Sequence, residues 1–164
     1  MSLNSRDFIF LRTKFQIMSI KETLLNICKE NQLESIKNLK LTMDEAQKSA
    51  NDYGAPKDRY DAYRTQMMRK RDMMAQQLQK ANEQFELLDR IDGEKEYDKV
   101  EFGALVITDK QKLFVSVSLG KITVESEDYY AISPAVPVYQ AMEGKKAGEE
   151  FEFRGNTMKI VEIL

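Results

Sequence analysis

Residues 19–53 contain neither glycine nor proline, and residues 57–91 again contain neither. Two uninterrupted stretches of this length leave long helices as the natural outcome. In the first, Ile20, Leu24 and Ile27 open an apolar stripe that drifts near Asn31 and Gln32. It resumes as Ile36, Leu39, Met43, Ala46, Ala50 and Tyr53. Steps of three and four in alternation mark a coiled-coil seam. The second seam reads Tyr60, Tyr63, Met67, Met74, Leu78, Ala81, Phe85 and Leu88, with Arg71 at the one missed position. At ~1.5 Å per residue the first helix extends about 50 Å. Ser19, with Glu22 three residues on, reads as a capping box that starts it. Gly54 suits a helix C-terminus, and Pro56 the first turn of the next helix. A connection this short forces the helices antiparallel, so the expected unit is a two-helix coiled-coil hairpin over residues 18–92. Residues 1–17, with the cluster Phe8-Ile9-Phe10-Leu11 and Phe15, do not match this pattern. They read as an N-terminal extension, or as an extra strand or helix packed on the body.

The period changes after Asp92-Gly93-Glu94-Lys95-Glu96, a polar, glycine-containing break that marks a domain boundary. Residues 100–108 (VEFGALVIT) and 113–119 (LFVSVSL) are apolar, rich in β-branched residues and alternating, as strands are. Further strand candidates are residues 122–124, 129–132, 150–154 and 157–164. The last two flank Gly155-Asn156, a two-residue hairpin turn. Residues 137–142 (PVYQAM) read as a short helix stopped by Gly144. The fold class is therefore α+β: a helical hairpin, then a small antiparallel sheet with one short helix over residues 93–164.

Composition narrows the chemistry. There is no histidine, which removes imidazole acid–base catalysis and histidine metal sites, and the single Cys28 makes neither an internal disulfide nor a zinc site. Cys28 lies on the helix and reads as a partly buried, inert thiol. The net charge of −2 argues against a strongly basic nucleic-acid coat. No apolar run approaches the roughly 20 residues that span a bilayer, and the cluster at Phe8 has its basic residues on the wrong side for a secretory signal. The expectation is a cytoplasmic, monomeric protein whose seam is satisfied within one chain; a plain coiled-coil dimer would instead pair its seams between chains.

The C-terminal third carries a resemblance. Phe102-Gly103-Ala104-Leu105-Val106 opens it, Ile132-Ser133-Pro134 follows the middle strands, Gly144-Lys145-Lys146-Ala147-Gly148-Glu149 follows the short helix, and Lys159-Ile160-Val161-Glu162-Ile163 closes it. This order resembles the C-terminal domain of the Gre family (GreA and GreB), the bacterial transcript-cleavage factors, which also carry an N-terminal antiparallel coiled coil. The resemblance implies an FKBP-like C-terminal domain that docks on RNA polymerase. It implies too a coiled coil that enters the secondary channel, and tip carboxylates that help the polymerase hold Mg²⁺ while it cleaves backtracked RNA. No cofactor would be intrinsic, and contact with nascent RNA would be indirect. The chain would not be an enzyme itself. Ser133, Pro134, Gly144 and Lys145 are the matching positions for polymerase binding.

At the tip, aligning on glycine puts the family's two acids on Ala55 and Asp58, which loses one of them. Aligning on spacing puts them on Asp58 and Asp61, three apart and on one helix face. Acids in a first turn are also favoured by the helix dipole alone, by ~0.3–1 kcal/mol each, with no function needed. Lys57 and Arg59 beside them compete with a metal. The same scaffold supports a channel-binding regulator that does not stimulate cleavage, and an FKBP-like fold supports a peptide-binding or prolyl-isomerase module if it has an aromatic-lined pocket. Ser133 lacks a base partner and is no nucleophile. The Met67-Met68 and Met73-Met74 pairs read as seam filling and helix surface. Arg69-Lys70-Arg71 reads as a solvated face, with RNA or an acidic groove as the functional alternative. Tyr129-Tyr130 reads as sheet packing rather than a stacking platform.

Overall fold

The structure is a computed structural model that describes residues 5–52 and 62–164, with side chains described from Ile20 onward. Helix α1 covers Ser5–Asp52 and α2 covers Ala62–Asp89, at 48 and 28 residues. Because α1 is continuous from Ser5, positions 19 and 22 lie inside the helix and not at its start. A local capping pair has been overridden by helix propagation from upstream. The turn at residues 53–58, and with it the expected start of the second helix at Pro56, lies outside the described residues.

Six strands follow: β1 (Leu105–Thr108), β2 (Lys112–Val115), β3 (Gly120–Val124), β4 (Glu127–Ile132), β5 (Glu150–Phe153) and β6 (Asn156–Ile163), with α3 (Pro137–Met142) between β4 and β5. The order across the sheet is β3-β4-β2-β1-β6-β5. The fold is α+β as read, but the sheet is mixed and not antiparallel throughout: β2 pairs with β4 in parallel, Lys112 opposite Tyr129 and Val115 opposite Ile132. The cause is the tight β3–β4 hairpin. Glu125 and Ser126 both adopt positive φ, 51° and 67°, the mark of a two-residue turn that matches strand twist. Strand β4 therefore returns between β3 and β2 and runs with β2. A similar turn, Arg154-Gly155 at φ 51° and 75°, joins β5 to β6, one residue before the Gly155-Asn156 expected from sequence. The first predicted strand is also shorter. Residues 100–104 are irregular, and Gly103 sits at φ 93°.

Two compact units divide the chain, residues 29–86 and residues 1–28 with 87–164. In the second of these, both sheet faces are covered. Leu24, Leu25, Cys28, Leu88 and Ile91 from the helices pack with Leu105, Phe114, Ile122, Val124, Tyr129 and Ala131. On the opposite face Val138, Tyr139 and Met142 of α3, with Tyr97, Val100 and Ala104, pack with Val106, Leu113, Val115, Met158 and Ile160. Alternate residues of β1 and β2 thus enter different cores, which is why LVIT and LFV read as nearly continuous apolar runs.

Residues 29–86 form an antiparallel helix pair. Gln32 near the start of this stretch of α1 reaches Ala81 and Gln84 on α2, while Gln47, further along α1, meets Arg71. Ile36, Ala46, Ala50 and Ala81 are buried between them. Leu39, Met43, Met67, Met74, Leu78 and Phe85 are half-buried, as a seam of only two helices requires, whereas Tyr63 is exposed.

Candidate functional site

Two places were singled out by sequence: the acidic tip and the loops around the short helix. Asp58 and Asp61 both lie outside the described residues, which end at Asp52 on one side and resume at Ala62 on the other. What is described is the pair of helices that leads to that segment and how it is held. Gln32 is 3% exposed, and its side-chain amide donates to the Ala81 carbonyl at 2.9 Å and to Gln84 Oε1 at 3.2 Å. The Arg71 guanidinium donates to Gln47 Oε1 at 2.8 Å, and to Asp72 next to it. Arg71 therefore does fill the missed seam position, with its charge carried out to Asp72. The signal for Gln32 was present in the sequence as the drift of the stripe. A polar residue occupies the seam there and is satisfied across it. Among the described residues no group of three or more acids or thiols is arranged to hold a metal ion.

The loop positions are anchored by backbone. Ser133 N–H donates to Ser118 Oγ at 3.2 Å, and the two serine hydroxyls lie 3.0 Å apart. Pro134 is exposed. Gly144, at φ 72°, ends α3 in the left-handed conformation that glycine adopts cheaply. Its N–H donates to the Val100 carbonyl at 2.9 Å, and Val100 N–H donates back to the Lys145 carbonyl at 2.8 Å. These two bonds tie the end of α3 to the entry of β1. In the GKKAGE turn, Glu149 accepts from Lys146 N–H at 2.5 Å and Gly148 N–H donates to the Ile160 carbonyl at 2.7 Å. Ser133, Gly144 and Lys145 thus belong to two separate anchored loops on either side of α3; Ser118 and Glu149 support them, and of these two sequence reading missed Ser118. Spacing held no hint of Ser118, whose role depends on β3 and β4 folding back. The acid of the GKKAGE motif did mark Glu149.

A surface cleft of about 400 Å³ opens at the β1–β2 turn, lined by Thr108, Asp109, Lys110, Gln111, Lys112, Asp128 and Tyr130. Its polar groups are engaged. Thr108 Oγ1 accepts from Gln111 N–H at 2.9 Å, Asp109 accepts from Lys159 N–H at 2.9 Å, and Lys110 donates to the Thr157 carbonyl at 2.9 Å. Lys112 pairs with Glu127, and Asp128 with Lys121, which holds the Asp128 carboxyl below its usual range. Tyr130 is the one aromatic residue in its wall. The buried Tyr129 beside it packs in the core, as read.

The architecture defines the class: an α+β protein in which a long antiparallel helix pair precedes a six-stranded mixed sheet carrying one short helix. Among solved structures it is similar to GreA factor homolog 1 (Gfh1) of Thermus thermophilus, with 13% identity over 83% of this chain and 94% of that chain and a TM-score of 0.34. A second structure, of the transcription factor Gfh1, has 15% identity over 82% of this chain and 92% of that chain, with a TM-score of 0.35. No family model matches the chain, and none of the curated proteins does. No helix among the described residues is long and apolar enough to cross a membrane.

Proposed function

We propose that this chain is a Gre-like transcription elongation factor that binds RNA polymerase at its secondary channel and modulates elongation. One observation carries the reading. An antiparallel helix pair, pinned across its seam by Gln32 and Arg71, leads into a segment bearing Asp58 and Asp61 and belongs to a chain whose β-domain holds the FGALV, Ser-Pro and GKKAGE residues in anchored strands and loops. The β-domain acts as the handle, with Ser133, Pro134, Gly144 and Lys145 at the polymerase, and the helix pair as the probe. The chain brings no complete catalytic set of its own. Asp58 and Asp61 supply carboxylate oxygens toward the Mg²⁺ of the polymerase, an ion usually held by one or two carboxylates plus waters and phosphate oxygens. Such an ion assists in-line attack of water on a phosphodiester.

The test is a backtracked polymerase–RNA complex incubated with the protein and Mg²⁺. Shortening of the RNA from its 3′ end, lost in the Asp58→Ala/Asp61→Ala double variant, supports a cleavage factor. Binding with slowed elongation and no shortening assigns the second role, a channel-bound regulator. Lys57 and Arg59 beside the acids favour that outcome, because both repel a divalent cation. Absence of binding to polymerase removes both readings.

A further inference from the structure

Where the two helices approach the acid-bearing segment, their seam carries little shape. Its α1 side is Met43, Ala46 and Ala50, and its α2 side is Met67 and Met74. Ala46 and Ala50 are buried, and the three methionines are half-buried. Alanine offers no knob and methionine refits to many gaps, so packing alone specifies the register of this half weakly.

The polar groups there are ordered end to end. Arg71 Nη1 donates across the seam to Gln47 Oε1 at 2.8 Å, and Arg71 Nε donates to Asp72 Oδ1 at 2.9 Å. Gln47 uses the other end of the same amide: its Nε2 donates to Asn51 Oδ1 at 2.9 Å, one turn nearer the acid-bearing segment. The chain Asp72–Arg71–Gln47–Asn51 thus starts on α2, crosses to α1 and ends beside Asp52, the last residue of α1. A guanidinium stands where the heptad calls for an apolar residue, on a side chain only 32% exposed. A polar residue in a seam specifies register at a cost in stability.

We propose that Arg71 is a positioning residue. Through Gln47 and Asn51 it fixes the register of the two helix ends that carry Asp58 and Asp61 between them, and so sets where those carboxylates are presented. Its use rests on the Gre-like reading above, but the register is a property of the free chain. Arg71 itself touches neither metal nor RNA. A cost in stability suits such a place, because a carboxylate brought to another protein's metal ion must arrive accurately: a misplacement of ~1 Å can cost about 100-fold in rate.

The experiment measures the distance across the helix pair in the full chain. Nitroxide labels at Lys48→Cys and Gln66→Cys, both exposed and close to the helix ends, are read by pulsed electron spin resonance. The chain without these two cysteines verifies that the buried Cys28 stays unlabelled. The wild-type background should give a single narrow distance. Arg71→Met and Gln47→Leu should each lose that narrow peak, and the double variant should be no broader than either, because one bond is removed only once. Arg71→Met restores the apolar heptad, so its unfolding temperature should be equal or higher while the ends loosen, which a merely structural role would not produce. With backtracked polymerase it should keep wild-type affinity while the effect that depends on Asp58 and Asp61 falls about tenfold or more. An unchanged narrow distance in Arg71→Met overturns the proposal, as does broadening that adds in the double variant. Where Gln47→Leu does not fold, Arg71→Met alone decides. A wild-type chain without effect on polymerase removes the Gre-like reading alone, and the distances in the free chain still decide whether Arg71 sets the register.

Discussion

The side-chain amide of Gln32 on α1 donates across the seam to the backbone carbonyl of Ala81 on α2 at 2.9 Å. An apolar residue at this position would bury as well, but it would not select which carbonyl lies opposite. Polar seam residues fix register at some cost in stability. Gln32→Ala removes the donor and leaves a void, and should lower stability by about 1–2 kcal/mol. Gln32→Leu should recover most of that loss. Urea denaturation followed by circular dichroism measures both, and a Leu variant no better than Ala would show that the amide bond itself stabilises the pair.

Position 103 admits only glycine. Its φ of 93° is strained for any side chain, and a Cβ would stand 2.3 Å from the Tyr97 hydroxyl. Gly103→Ala should cost about 2–4 kcal/mol, from backbone strain and overpacking together. Tyr97→Phe removes the contacting oxygen, so in the double variant the two costs should fail to add. Additive losses in thermal unfolding would assign the whole effect to the backbone.

The sheet face bearing Leu105, Phe114, Ile122, Val124 and Tyr129 is covered by Leu24, Leu25, Cys28, Leu88 and Ile91. A fragment of residues 93–164 loses that cover entirely. It should bind a hydrophobic dye and self-associate, seen by size exclusion, because an exposed apolar patch of this kind seeks a partner. In the full chain, Leu24→Ala should cost about 2–5 kcal/mol. A fragment that stays monomeric and dye-free would mean the sheet is stable with one face bare.

Cys28 is fully buried, and burial pushes its thiol up to about 11, the Ser116 hydroxyl drawing it weakly the other way. Thiolate is the reactive form. The native chain should react with a thiol reagent at pH 8 many-fold more slowly than the unfolded chain. Leu24→Ala should accelerate labelling by raising the open population. Rapid labelling of the native wild type would contradict the closed packing of α1 on the sheet.

Much of this organisation was readable in the residues. The seam positions Ile36, Ala46, Ala50 and Ala81 are buried as their spacing says, because a helix turns 3.6 residues per turn whatever surrounds it. The apolar runs around Leu105 and Phe114, the short helix at Pro137 and the closing hairpin follow from similarly local rules. The candidate polymerase positions were legible only as a motif. That Gly144 and Lys145 are tied to Val100, and Ser133 to Ser118, depends on segments far apart in sequence.

Local pattern determined where helices and strands would form and roughly where the chain changes from one to the other, since backbone conformation and hydrophobic period are properties of neighbours in sequence. Only the tertiary structure decided that β4 runs parallel to β2, that the helix residues Leu24 and Leu88 cap one sheet face, and that Lys21 is buried against Lys95 and Tyr97. Each of those facts joins residues dozens of positions apart. Which pairing wins is set by total burial and hydrogen-bond satisfaction over the whole fold, a balance that no window of sequence contains.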